Sequence, residues 1–396
     1  MKYLFRRDTF FATIAVFVSM GLLALLPFNL SVLNPFRVAL EDFDFNDMAY
    51  SELDKNKDTK QDDRIVIVNI GYLDRLALTR ILEIVNNEDP KVIGLDVMFD
   101  NEKDSLSDAF LFEQLKNTPN LVLAAKLDWS DSKHPLKQSV FRDTSLTLGF
   151  VNFVGAEKGT IRYFSPIEKE NNNVHMSFAS AITQNAYPQA YQKLMDRNKP
   201  VETINYTRHE HKYPLVDGAQ LLEGSVVEGI FKDKIVLLGY VSSSPFDIED
   251  KYLTPMNEKF AGKTFPDMNG VMIHANIISM ILDSNYIKKL PSWITWSLAL
   301  MLTWLHISLF IRYYIDQHIW FHLVAKIAQL ISAIFFVYLG LFLFNRYNVK
   351  LDMSITVVAI ILAIDVLYFY EALAQWLHKK FNYQTIFHTN SHGHET

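Results

Sequence analysis

The chain has 396 residues, 49% of them apolar, 13% aromatic and 21% charged, with a net charge of −6 and no cysteine. This profile lies between those of soluble and membrane proteins, and the lack of thiols excludes a disulfide framework, a thiolate nucleophile and a thiolate metal site. The charge is uneven: residues 1–28 carry +2 and residues 291–396 carry +1, which leaves −9 in the middle, an acidic surface that argues against nucleic acid as a partner.

Residues 10–28 (FFATIAVFVSMGLLALLPF) hold no charge over a length that crosses a bilayer core at about 1.5 Å per residue, which predicts a first transmembrane helix. The run is long for a signal peptide and no small-x-small site follows Leu26, so it reads as an uncleaved anchor. Residues 29–290 then form one large domain. Within it, 64–70 (RIVIVNI) predicts a buried strand and 73–86 an amphipathic helix ended by Pro90. A second strand follows at 91–97, a helix at 105–117 and a third strand at 120–126, the β-α-β-α-β order of a parallel sheet.

Farther on, 147–154 and 160–164 flank Gly155 and Gly159 as a hairpin, so the sheet is expected to be mixed. A helix is predicted at 174–187, strands near 202–208 and at 234–240, and a helix from Gly270 to Leu282. The stretches 127–146 and 188–200 show no periodicity and read as loops. Three more apolar runs, 292–311, 321–344 and 355–377, predict further transmembrane helices, with a tail at 378–396. The expected fold is therefore an α/β domain, a mixed and largely parallel sheet flanked by helices, plus four transmembrane α-helices.

Lys2, Arg6, Arg7, Arg312, Lys379 and Lys380 flank the spans on one side. By the positive-inside rule both termini are cytoplasmic and the large domain is extracytoplasmic. A cysteine-free exported domain of this size fits the periplasmic side of a bacterial inner membrane, although N-x-S/T sequons stand at Asn29 and Asn205.

Ligands of open α/β sheets bind at the carboxyl ends of the strands. Those ends carry Asn69, Asp96 and Ser242–Ser243–Ser244, with Asp247 and Asp250 just beyond. Asp96, Asp250, His274 and Asn276 are the candidate ligand-binding residues, each with a structural reading beside it. Asp96 can accept backbone N–H bonds, Asp250 can anchor the turn at Thr254–Pro255, and His274 and Asn276 can cap a helix. No metal site is expected: His209–x–His211 lacks a third ligand, and His388, His392 and His394 lie in a polar tail. No G-x-G-x-x-G, Walker, G-x-S-x-G or H-E-x-x-H pattern occurs, so neither a cofactor nor an enzymatic activity is expected. The spans carry His306, Lys326, Gln329, Asp365 and Glu371, costly groups in hydrocarbon unless partnered. Lys326 and Glu371 are expected to pair, and Asp365 to lie out of easy reach of Lys326 and either stay protonated, bond within the bundle or face a partner helix from another chain.

KVIGLDVMFD at 91–100, FKDKIVLLGY at 231–240, the D-x-x-x-T-P of Asp250 to Pro255 and NGVMIHANII at 269–278 occur in order. Together they resemble the CHASE domain of type 2, the cyclase/histidine-kinase-associated sensory extracellular domain. The resemblance implies an extracytoplasmic sensory module with one helix before it and three after it, whose output lies in a kinase, cyclase or phosphatase domain. Only a short tail follows the last span here. The expectation is a non-catalytic sensor or receptor subunit that takes a small-molecule signal and acts on a separate effector. The alternative is a structural subunit anchoring an envelope or transport assembly. The lipid bilayer and a second copy of the chain are the remaining expected partners.

Overall fold

Four apolar runs that are buried on both faces dictate the central sheet, because such runs are stable only when helices cover each side. The computed structural model describes residues 3–25, 44, 46–51, 59–128, 136–137, 140–141, 143–155, 159–170, 173–242, 244, 246–257, 265–316 and 321–387. They fall into two units, Asp47–Ile287 and Met1–Asn46 with Lys288–Thr396.

In the first unit the strands are β1 (Ile65–Asn69), β2 (Val92–Leu95), β3 (Leu121–Leu127), β4 (Leu136–Lys137), β5 (Thr147–Phe150), β6 (Leu215–Asp217) and β7 (Ile235–Gly239). Their order is β6-β1-β7-β2-β3, and β3 continues to β5 in parallel and to β4 in antiparallel fashion. Only β4 runs against the others, so the sheet is mixed and largely parallel. β7 enters between β1 and β2, with Ile65–Asn69 opposite Ile235–Gly239.

Helices α2 (Arg75–Asn86) and α3 (Ser105–Asn117) cover one face, where Ile81, Leu82, Leu111 and Leu115 meet Val66, Val68, Ile93 and Leu238. Each begins at an aspartate cap: Asp74 accepts from the Ala77 N–H at 2.8 Å and Asp104 from the Ser107 N–H at 3.0 Å. The other face carries α4 (Phe178–Ala186), on β2, β3 and β5, and α6 (Gly270–Leu282), on β7. A helix α5 (Pro188–Asp196) follows α4 directly.

Several sequence expectations change. Residues 188–196 are helical rather than a loop, since Pro188 at the first helical position presets the backbone where few apolar residues mark a face. Residues 173–176 pair as a strand with 167–170, so α4 starts only at Phe178. Among the described residues the expected hairpin is reduced to a single antiparallel bridge, Val154 to Tyr163, while β5 runs parallel to β3. The strand near 202–208 shortens to Glu202–Thr203. Asn205 is fully buried, bonded to the Tyr50 hydroxyl and the Asn285 carbonyl, so its sequon offers no surface acceptor. Asn29, Ser243, His388, His392 and His394 lie outside the described residues.

The second unit holds four helices long and apolar enough to cross a membrane: α1 (Arg7–Leu25), α7 (Ser292–Asp316), α8 (Phe321–Tyr347) and α9 (Ser354–Phe381). α9 is central and packs on the other three, with Ala359, Ala363 and Ala374 buried along it so that backbones approach closely. Polar groups are satisfied between helices. Gln329 donates to the Ile360 and Ile361 carbonyls at 2.7 and 2.9 Å, and His306 bonds the Ser332 hydroxyl at 2.8 Å.

At one end of the bundle the chain folds back after Asn382, whose left-handed backbone ends α9. Asp8, 2% exposed, accepts from the Tyr370 hydroxyl, the Thr385 hydroxyl and the Ile386 N–H at 2.9, 2.9 and 3.1 Å, and Phe387 is buried beside Tyr314 and Tyr370. Residues 383–387 are thus a packed part of the bundle rather than a loose tail.

Two outcomes are expected. A methyl group at Gly149 would stand 2.6 Å from the Phe178 Cα, backbone that cannot swing away. Gly149→Ala should therefore destabilise the α/β unit by about 1–3 kcal/mol in thermal unfolding of the full chain, and an unchanged melting temperature would contradict this packing. Asp8→Ala removes the shared acceptor of three hydrogen bonds, so limited proteolysis at 383–387 should accelerate about tenfold.

Candidate functional site

The carboxyl ends of β1, β7 and β2 bring together loops that begin with Asn69, Tyr240 and Asp96. Asn69 is consumed structurally, its Oδ1 accepting from the Gly71 and Val241 N–H groups, both at 3.0 Å. Asp96 continues the ladder through its own N–H to the Leu238 carbonyl at 2.8 Å, and its carboxyl feels the charge of Asp250.

Asp250 is set by an unusual backbone. Its φ of 49° is left-handed, a conformation that Asp tolerates better than most residues, and it turns the chain into the short ladder of Lys251–Tyr252 with Met268–Asn269. A Cβ on Gly270 would lie 3.0 Å from each Asp250 carboxyl oxygen, so glycine at the first position of α6 makes room for that carboxyl. The Gly270 N–H donates to the Asp250 backbone carbonyl at 3.0 Å and stands near enough to the Asp250 carboxyl to favour its charged form, and the Tyr252 hydroxyl bonds that carboxyl. The carboxyl thus sits at the positive end of a helix that is buried from Gly270 to Ile281. A second acid does the same one residue earlier, for Glu210 accepts from the Asn269 N–H.

Burial, and then the charge of Asp250, push the Asp96 carboxyl up to about 8. Burial likewise raises Asp250 to about 6, against the lowering effect of the Gly270 N–H. Near neutral pH the two carboxyls hold about one proton between them. Outside them lies an exposed layer: the Tyr72 hydroxyl donates to Glu249 at 2.6 Å, the Tyr240 hydroxyl donates to Asp247, and the two hydroxyls are 3.0 Å apart. The edge is acidic and rich in phenol hydroxyls, chemistry suited to a ligand that presents cationic or donor groups.

The other two candidate ligand residues do different work. His274 is 3% exposed, stacked on Phe153 at 4.8 Å and edge-on to Phe178 at 5.1 Å, and burial lowers it to about 3, so it is a neutral packing residue. Asn276 is fully buried. It accepts from the Thr207 and Arg208 N–H groups and donates to the Arg208 and Met272 carbonyls, pinning the segment that precedes the Glu210 turn. The turn at Thr254–Pro255 is held by Asp267, not Asp250: Asp267 accepts from the Thr254 N–H at 2.7 Å. Among the described residues no group of three His, Asp or Glu side chains could hold a metal ion.

Sequence reasoning missed Tyr72, Tyr240 and Tyr252, because an aromatic at a strand end looks like any core residue. It also missed an ion network at the opposite end of the unit. There Arg64 bonds Asp62 and Asp283, each at 2.7 Å, and Arg208 reaches Asp283 at 3.2 Å. A cavity of about 540 Å³ opens beside Arg64, lined also by Tyr187, Lys193, Leu282 and Ser284.

In the spans, Lys326 pairs with Asp365 at 3.6 Å, whereas Glu371 bonds the Tyr314 hydroxyl and Gln375. This reverses the expected Lys326–Glu371 pair. Tyr314 and Gln375 hold Glu371, and α9 runs past the start of α8, so that Asp365 rather than Glu371 stands opposite Lys326.

A family described as CHASE2 domain matches residues 21–312. The chain belongs to the CHASE2 family. CHASE2 domains are sensory extracellular domains, and the four long apolar helices make this member a membrane protein. No curated protein and no solved structure matches the chain significantly.

The raised carboxyls give a signed pH dependence. Between the ordinary carboxylate value near 4 and the raised values of about 6 and 8, the folded state holds protons that the unfolded chain has released. Stability therefore falls as pH rises through that window. Asp96→Asn, which mimics the protonated acid, is expected to flatten the dependence and to stabilise the protein by on the order of 2 kcal/mol at pH 8.5 while changing little at pH 4. Parallel thermal-unfolding curves for the two proteins would refute the pairing.

Proposed function

We propose that this CHASE2 chain is a non-catalytic sensor subunit. Its α/β domain faces the periplasm of a bacterial inner membrane, takes a signal at the Asp96–Asp250 edge and passes it through the helices to a separate effector protein. The observation that carries this reading is the placement of the Asp250 carboxyl at the N-terminus of the buried helix α6, with the Asp96 carboxyl within electrostatic range of it. A cationic or donor-bearing ligand that binds there changes the charge facing the helix dipole, and so changes the forces on α6 itself. Residues 283–291 join α6 to the membrane helix α7, so a displaced α6 pulls on the start of the span. The basic flanks Lys2, Arg6, Arg7, Arg312, Lys379 and Lys380 support the orientation.

Cross-linking of native membranes and mass spectrometry of what co-purifies is the test. Recovery of a kinase, cyclase or phosphatase, with Asp96→Asn/Asp250→Asn retaining that partner but losing its ligand response, is the expected result. Recovery of envelope or transport proteins alone would replace the sensor with a structural subunit.

A further inference from the structure

The membrane bundle treats one polar group differently from its neighbours. Gln329 is 5% exposed and bonded inward, and His306 is bonded to Ser332 on the adjoining helix. The Lys326–Asp365 pair instead lies on the outside of the α8–α9 seam, with side chains 59% and 55% exposed. Lys326 is about 7.5 Å along α8 from Phe321, and Asp365 about 16 Å along α9 from Ser354, so both stand inside spans. One turn along the same seam the Tyr368 hydroxyl and His322 Nδ1 lie 2.9 Å apart, also exposed. Around these groups the surface is apolar, with Leu330, Ile361 and Phe369 turned outward. A single 3.6 Å contact leaves ammonium protons and carboxylate lone pairs unfilled, and hydrocarbon supplies nothing to fill them.

We propose that the α8–α9 seam is the docking surface for a second copy of this chain. The argument is charge complementarity under symmetry. Lys326 and Asp365 have opposite sign, stand on adjacent helices and lie at one depth, as their contact requires. A twofold axis along the membrane normal preserves depth and sets α8 of one copy beside α9 of the other. Each Lys326 then meets the Asp365 of the second copy as well as its own, and four charges close into an alternating ring shielded from lipid. The self-complementary pattern selects another copy of the chain over an unrelated helix, which would have to supply both signs at the same depth. This inference is independent of what the α/β domain binds.

The test uses the full chain in native membranes and in lipid nanodiscs. Because the protein has no cysteine, Ile361→Cys supplies a single thiol beside the seam for cross-linking. Wild-type background should give a cross-linked dimer. Lys326→Asp alone and Asp365→Lys alone should each lower the dimer yield at least tenfold, since like charges then meet both within and between copies. Co-expression of the Lys326→Asp chain with the Asp365→Lys chain should restore a mixed dimer, and the double exchange Lys326→Asp/Asp365→Lys should dimerise as wild type, which separates lost docking from lost folding. A monomeric wild type, a dimer indifferent to the reversals, or a different membrane protein or an anionic lipid held at the thiol would each overturn the proposal.

Discussion

The α/β unit depends on helix Gly270–Leu282, because a helix sealed from water on all sides must have every polar group answered by protein. The Gly270 N–H at its start donates to the Asp250 backbone carbonyl at 3.0 Å, and the Asn269 N–H just before it is answered by Glu210. Its middle is met by Asn276, which holds the backbone of Thr207 and Arg208. Farther along, Ser279 donates to Asp62 at 2.8 Å and contacts the Tyr213 hydroxyl. Although burial opposes it, bonding from Arg64 and Ser279 keeps Asp62 below the usual carboxylate range, so this acid stays charged where Asp96 does not. One helix thus has an edge of hard-to-ionise acids at its start and a compensated ion network near its end.

That asymmetry is the reason the sensory site is proposed at the strand-end edge rather than in the cavity beside Arg64. Arg64 is already bonded to two aspartates, and an anion entering the cavity would have to compete with both. Asp96 instead feels the charge of another acid, Asp250, so an incoming cation would relieve that repulsion.

The parallel sheet was legible because strands such as Ile65–Asn69 and Ile235–Gly239 are uniformly apolar, and Asp74 and Asp104 mark their helices by capping. The four spans were legible from length and charge alone. What escaped was set by tertiary contact. Pro188–Asp196 has too few apolar residues to announce a helix, and Phe150 joins a parallel neighbour because α4 lies across it. Of the residues expected at the site, Asp96 and Asp250 lie within electrostatic range of each other, while His274 and Asn276 sit one and two turns into α6, where His274 packs between aromatic rings and Asn276 holds backbone. The Lys326 pairing was misjudged because depth was counted along straight, level helices, and α8 and α9 are offset.

Asp8 lies near the beginning of the first span, and the groups that bond it come from Tyr370, Thr385 and Ile386, more than 360 residues later in the chain. The bonds on Asp8 therefore close a loop of more than 360 residues, so the first and last spans are held together by contacts that no local segment can form alone.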